Sequence, residues 1–311
     1  MKVVVTGGAG FIGANLCRAL VEQGVSEHVV ALDDLSTGEK ANLAGVAGVE
    51  LVEGSILDDD ALDTVLPGAS AVVHLAARPS VPRSLVDPMA SHRTNATGTM
   101  TVLEAARRHG GPHVVVASSS SVYGANPALP KHEDMATMPV SPYAASKLAT
   151  EAYALAYARS FGLDVLAFRF FNVFGPLQPA GHAYAAVVPA FVDAALAGRA
   201  LPVHGDGTQT RDFTYVGTVS AVIADAVRRR VTSPGPVNLA FGSRVSLLEL
   251  VDLLEDVLGH PVAREHTDPR PGDVRDSQAD RSRLGALFPG VQPVPLAEGL
   301  AATVAWFRSR A

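Results

Sequence analysis

The stretch SPYAASK, residues 141–147, places a phenol and an ammonium four positions apart. Positions i and i+4 share one face of a helix, so Tyr143 and Lys147 can converge on a single point. Ser141 has the chemistry of an N-cap and Pro142 suits a first helical turn, which sets the pair near a helix start. A Tyr-x-x-x-Lys pair alone is more often a packed ring beside a solvated charge. A second cluster, SSSSVYG at 118–124, closes an apolar run with four hydroxyls, poor as strand filling and good as ligand lining. Taken singly, each of these serines could equally belong to a polar turn leaving a sheet. A third, VVVTGGAGFIG, spaces Gly7, Gly10 and Gly13 as G-x-x-G-x-x-G straight after the first apolar run. A turn without side chains lets the backbone approach a pyrophosphate held at a helix N-terminus. Further on, ALDDLSTG offers Asp33 at a strand end, where a carboxylate accepts ribose hydroxyls and repels a 2′-phosphate. Loop and acid together point to a dinucleotide, NAD rather than NADP.

The elements that must position these groups follow an alternating rhythm. Runs at 2–6, 28–32, 49–53, 71–75, 113–118 and 164–170 are apolar almost throughout, as parallel strands covered on both faces are. Helical patterns fill 11–23, 59–66, about 84–109 and 142–161 between them. This βαβ alternation predicts an α/β fold with an open, doubly wound parallel sheet, whose ligands bind at the carboxyl ends of the strands. Past residue 170 the pattern loosens into NVFGPLQPAGHAY and then short helices at about 186–198, 216–230, 246–258 and 295–308. The expected division is a sheet domain over 1–170 with a returning segment at about 212–240. Residues 171–211 and 241–311 then form a smaller C-terminal α/β lobe.

Composition removes several classes. With 25 Lys+Arg against 31 Asp+Glu, the net charge of −6 carries no footprint for nucleic acid. Cys17 is the one cysteine, so neither an internal disulfide nor a cysteine zinc site can form, and none of the ten histidines sits in a metal-spaced cluster. The N-terminus reaches glycine too early for a secretory leader, and no apolar run is long enough to span a bilayer. The expectation is a soluble, cytoplasmic protein without membrane attachment.

Taken in order, TGGAGFIG, DDLSTG, HLAARPSVPRSLVDP, NATGT, SSSSVYG, SPYAASK, RFFNVFGP, YAAVVPAF, GDGTQTRDFTYV and RPGDVRDSQAD name a family. Across essentially its whole length the chain resembles the extended short-chain dehydrogenase/reductases, and within them the nucleotide-sugar 4-epimerases. The resemblance implies a Rossmann-like sheet domain with a substrate-binding lobe, bound NAD, a UDP-sugar substrate and a homodimer joined through the helices near 84–109 and 142–161. Tyr143 would take the proton from the sugar 4-hydroxyl while hydride leaves C4 for the nicotinamide, and Lys147 would favour the phenolate and hold the nicotinamide ribose. A free phenol titrates near 10, so lowering it by roughly 3 units asks for about 4 kcal/mol. Ser119 or its neighbour Ser120 would relay the proton. Phe11, Ile12, Ala76, Ala77, Asn95, Ser118 and Phe170 would line the cofactor. Ser121 and Asn172 would meet the substrate, Ala186 and Val187 the nucleotide, Val203 the uracil, Arg211 and Arg270 the diphosphate, and Asp273 the uridine ribose. His74 reads as structural.

Two departures stand out. Gly54-Ser55 replaces the family's Gly-Asp pair near adenine, which leaves Asp58 as a substitute contact to be tested, and Phe170 stands where tyrosine is common. Ser120-Ser121 occupy the place where 4,6-dehydratases carry Asp-Glu, so dehydration lacks its acid and base. Asn172 argues against the decarboxylases. Ser277 is small where the family limits the group at C2, which leaves UDP-N-acetylglucosamine open beside UDP-glucose, and the serines and Asn172 could equally hydrogen-bond a C6 carboxylate, which keeps UDP-glucuronate open. A non-catalytic NAD-binding sensor is the reading from another class.

Overall fold

A computed structural model describes residues 1–180, 185–268 and 275–310. Six strands arise where the apolar runs fall: β1 Lys2–Thr6, β2 His28–Asp33, β3 Val49–Glu53, β4 Ala71–His74, β5 His113–Ser119 and β6 Val165–Phe170. With a seventh, Val237–Leu239, they make one parallel sheet in the order Val237–Leu239, β6, β5, β4, β1, β2, β3. Valines fill it because a β-branched side chain suits a pleat covered on both faces. On one face Val3, Val5 and Val73 pack with Leu16, Cys17 and Ile223; on the other Val4, Val30 and Val72 pack with Leu62, Leu66 and Val102. The chain winds outward from β1 through β2 to β3, then crosses to β4 on the other side. The switch point therefore lies between the carboxyl ends of β1 and β4, where such sheets bind ligands.

One expected helix is four pieces. Residues 84–109 divide among Val81–Val86, Pro88–His92, a π turn at Arg93–Thr97 and Gly98–Arg108. Pro88 has no N–H and pushes Asp87 out of helical geometry, to φ −140°, and the Asp87 carboxylate then caps the next turn through Ala90 N–H at 3.0 Å. The helix Pro142–Phe161 runs unbroken for 20 residues, with Ser141 Oγ accepting from Ala144 N–H at 3.1 Å. The strand Val237–Leu239 escaped the sequence reading because three residues among prolines and glycines carry no periodicity.

The second lobe has its own core, in which Phe174, Val192, Leu201, Val203, Leu250 and Val304 meet. Its strands are two to four residues long and pair locally: Leu201–His204 with Arg264–Thr267, Val245–Ser246 with Thr210–Arg211, and Val173–Phe174 with Thr214–Tyr215. Leu284 and Phe288, late in the chain, pack instead against the large sheet. Among the described residues no helix is long and apolar enough to cross a membrane, and no group of three or more His, Cys, Asp or Glu is placed to hold a metal ion.

Candidate active site

The glycine loop between β1 and the helix Phe11–Glu22 is shaped by close approach. A Cβ on Gly13 would lie 2.0 Å from the Gly7 carbonyl oxygen, and one on Gly7, at φ +71°, would lie 2.7 Å from Ala76 N. Gly10 caps the helix without a side-chain hydrogen bond and no acid enters the first turn, so the leading amides are left for a ligand anion. Asp33 ends β2 buried, its Oδ2 accepting from Ala9 N–H and its Oδ1 from Leu35 N–H, both at 2.9 Å. Burial pushes its carboxyl up while these backbone bonds pull it down. A cleft of about 380 Å³ opens here, bounded by Phe11, Ile12, Asp33, Ala76, Ala77 and the serine and tyrosine groups. Ser55 also borders it, but Asp58 is spent capping the helix Asp59–Val65 through Asp60 N–H at 3.0 Å and does not replace the missing adenine contact.

At the far end of that cleft stand Ser118, Ser119, Tyr143, Lys147 and Phe170. Tyr143 is half-buried and borders the cleft beside Ser119, whose hydroxyl draws the phenol down. Ser119 Oγ accepts from the N–H and the hydroxyl of Ser121, at 3.2 and 2.9 Å. With its lone pairs engaged by Ser121, the Ser119 hydroxyl is left to donate outward. Of the two serines left open by the sequence, Ser119 borders both the cleft and an adjoining cavity, and Ser120 borders the cavity. Ser118 Oγ donates instead to the Lys147 carbonyl, 3.2 Å away, fixing the helix to the end of β5.

The electrostatics differ from the sequence expectation in one respect. Burial pushes the Tyr143 phenol above its ordinary range, and the group that pulls against this is the Ser119 hydroxyl, not Lys147. Lys147 is itself held down to about 8 by burial. The protein alone keeps the phenol protonated; a positive charge entering the cleft is needed to reverse that.

Asn95 does not border the cleft, contrary to expectation. Its Oδ1 accepts from Arg78 N–H at 2.7 Å and its Nδ2 donates to Ser146 Oγ at 2.9 Å, so the amide clamps the loop after β4 to the tyrosine helix. His74 is structural, as expected: its ring nitrogens meet Thr6 and Thr99 hydroxyls at 2.7 and 3.1 Å, and burial holds it down to about 3. A network the sequence did not reveal lies behind Tyr143. Glu151, two turns along its helix, accepts from Nε and Nη2 of buried Arg169 on β6 at 2.9 and 2.7 Å, and that guanidinium lies 4.7 Å from the Tyr123 ring centroid. No sequence signal separates this pair from surface charges.

Two further cavities adjoin the cleft. One of about 240 Å³ is bordered by Ser119, Ser120, Ser121, Asn172, Arg211 and Ser277, among others. The other, about 190 Å³, lies in the second lobe against Asn172, Ala186, Val187, Arg211 and Phe213. Val203 corrects the sequence reading: its side chain is fully buried in the lobe's core, and Pro202 and His204 face the cavity instead, by strand alternation. Asn172 touches all three spaces and is held at φ 30°, strained for a non-glycine residue, with Nδ2 donating to the Asp212 carbonyl at 3.1 Å. Asp212, fully buried and unforeseen, accepts from Gly242 and Ala279 N–H at 3.0 Å and Ser243 Oγ at 2.8 Å, tying the Arg211 strand to the Ser277 segment. Arg270 and Asp273 lie outside the described residues.

This succession runs from dinucleotide cleft to proton-relay hydroxyls to a polar cavity to a second-lobe cavity, with residues shared at each junction. A model of the NAD dependent epimerase/dehydratase family matches residues 3–240. The chain belongs to that family. It is 40% identical to the UDP-glucose 4-epimerase of Mycolicibacterium smegmatis, covering 100% of this chain and 99% of that one. Among solved structures, it superposes with a TM-score of 0.93 on a UDP-N-acetylglucosamine 4-epimerase from Methanobrevibacter ruminantium in complex with UDP-N-acetylmuramic acid, at 36% identity and covering 100% and 99% of the two chains. A dTDP-glucose 4,6-dehydratase from Streptomyces venezuelae with NAD bound gives a TM-score of 0.89 at 33% identity, over 99% and 97%.

Proposed function

We propose that the protein is an NAD-dependent UDP-sugar 4-epimerase. The observation that carries this reading is the sharing of Ser119 between the dinucleotide cleft and the polar cavity, with Tyr143 and Lys147 bordering the same cleft. The cofactor fits the residues present: the uncapped amides after Gly10 take the pyrophosphate, Asp33 the adenosine ribose, and Lys147 the nicotinamide ribose. Bound there, an oxidised nicotinamide supplies a hydride acceptor and the positive charge that Tyr143 lacks. Tyr143 then takes the proton of the sugar 4-hydroxyl, and Ser119 donates a hydrogen bond to the 4-oxygen.

Epimerisation needs the 4-keto sugar to turn over before hydride returns. A firm grip on the nucleotide and a loose one on the hexose serve that step. Ala186, Val187 and Phe213 offer apolar surface in the second lobe, Arg211 a fork for the diphosphate, and the serines single hydroxyls for the sugar. Val203 can contribute through its backbone only. Arg270 and Asp273 remain proposed contacts by resemblance.

The dehydratase reading, which the Streptomyces structure keeps in view, asks for an acid and a base beside Ser119. Among the described residues bordering the polar cavity the one carboxylate is Asp276, and it is engaged by Thr210 Oγ1 at 2.6 Å and Arg244 at 3.5 Å. Incubation with UDP-sugars and no added redox partner, followed by NMR, decides between these. A C4 epimer supports the proposal; a 4-keto-6-deoxy product supports dehydration; unchanged sugar with NAD bound supports a sensor.

A homodimer is proposed as well. Leu85, Val86, Met89 and Phe161 are more than half exposed on the helices Val81–Val86, Pro88–His92 and Pro142–Phe161, and a second copy would cover them. Light scattering tests it. Cytoplasmic location is the compartment consistent with this cofactor and with one buried cysteine, which burial pushes up to about 12 and so keeps unreactive.

A further inference from the structure

The polar cavity holds a cation that the proposed reaction does not use. Lys131 borders it and is 4% exposed; among the described residues its ammonium donates to the Asn126 carbonyl and pairs with no carboxylate. Its backbone is fixed on both sides, N–H to the Gln278 carbonyl at 2.7 Å and carbonyl from Asp280 N–H and Asn238 Nδ2 at 2.8 Å, which anchors the stem of the side chain at the cavity. Burial holds the ammonium below its ordinary range. An ammonium taken from water without a counter-charge is costly, and a ligand carboxylate offsets that cost where a neutral hydroxyl does not. The other charged neighbours are accounted for. Asp276 is held by Thr210 and Arg244, and Arg211 donates to the carbonyls of Thr210 and Arg275, each at 2.9 Å.

We infer that Lys131, with the hydroxyl of Ser120, selects a UDP-hexose that carries a carboxylate, and that the preferred substrate class is a hexuronate. This rests on the epimerase reading. The cavity begins at Ser119, the hydroxyl placed at the 4-oxygen, so a group that reaches Lys131 hangs from the carbons beside C4, as a C6 carboxylate does. A lysine suits the reaction better than an arginine here: a point charge with rotatable donors releases its anion when the ring turns, whereas a rigid fork would resist. The Ser120 hydroxyl adds a hydrogen bond to the carboxylate without adding charge, while the Ser121 hydroxyl stays on Ser119.

The test is kcat/KM of the holoenzyme for UDP-glucuronate and UDP-glucose, which differ only at C6, in wild type, Lys131→Met and Lys131→Arg. A charge-assisted bond in such a site makes the wild-type preference for glucuronate about tenfold or more. Lys131→Met should lose that preference while its rate with UDP-glucose stays within about threefold of wild type, and Lys131→Arg should keep a preference for glucuronate. Equal losses with both sugars in Lys131→Met would assign the ammonium to the diphosphate and overturn the inference. A wild type that turns over UDP-glucose as well as or better than UDP-glucuronate also overturns it, and leaves the epimerase reading standing. Should Lys131→Met fail to retain NAD, the wild-type and arginine comparison still decides. No C4 epimer from any UDP-sugar would take both readings down.

Discussion

The dinucleotide cleft and the polar cavity share Ser119, yet the chain builds them by different means. The cleft's glycine loop, Asp33 and Ala76 come from the carboxyl ends of β1, β2 and β4, all within the first 80 residues. Its shape is set by backbone packed so tightly that a single Cβ would collide. The cavity gathers residues 119–121, 131, 172, 211 and 277, held by two-residue strands and by the buried Asp212 carboxylate. A rigid cleft suits a cofactor that stays; a cavity of single hydroxyls on short segments suits a sugar that must turn.

Breaking the shared edge should have the largest effect. Tyr143→Phe removes the base and should lower kcat about 10³-fold, with NAD retained as measured by release on denaturation. Retention of most of the rate would refute the assignment. Gly13→Val attacks the cleft alone: its Cβ would fall 2.0 Å from the Gly7 carbonyl, and NAD retention should be lost along with several degrees of Tm. Ser277→Tyr attacks the cavity alone, and should cost about tenfold in kcat/KM for UDP-N-acetylglucosamine with little change for UDP-glucose. Ser121→Ala sharpens the comparison further, because it leaves Ser119 present but unheld. It should lower kcat about fivefold at constant KM, and Ser121→Thr should restore it.

The smallest effect is on stability. Lys147 titrates at about 8 in the fold against 10.5 in the free state, so the unfolded chain binds more protons between those values. Stability therefore rises with pH across that window, and the burial cost is fully present below it. In cofactor-free protein, the denaturation midpoint of wild type relative to Lys147→Met should rise from pH 8 to pH 10. A flat difference would mean that the ammonium is solvated.

The contrast also explains what the sequence disclosed. Strands β1 to β6, the loop of Gly7, Gly10 and Gly13, Asp33 and the Tyr143–Lys147 turn were legible because each rests on local periodicity or spacing. The break at Asp87-Pro88 was legible too, since proline cannot continue a helix, and the longer pattern overrode it. The serines at the cavity were legible as hydroxyls closing a strand, whereas the errors fall on residues assigned through resemblance. Val203 turned inward because one strand position decides its face, and Asn95 was used up holding Arg78 and Ser146. Asp212, Lys131 and the Glu151–Arg169 pair owe their roles to burial, which no spacing reveals.

In the proposed reaction Tyr143 and Ser119 move the 4-hydroxyl proton at the edge of a cleft whose cofactor takes and returns the same hydride. Turnover of a UDP-sugar in D₂O without added NAD or reductant, followed by NMR at C4, tests it directly. Epimer whose C4 still bears protium is the predicted result, because the hydrogen never enters solvent; deuterium at C4, or no epimer at all from cofactor-loaded protein, would contradict it.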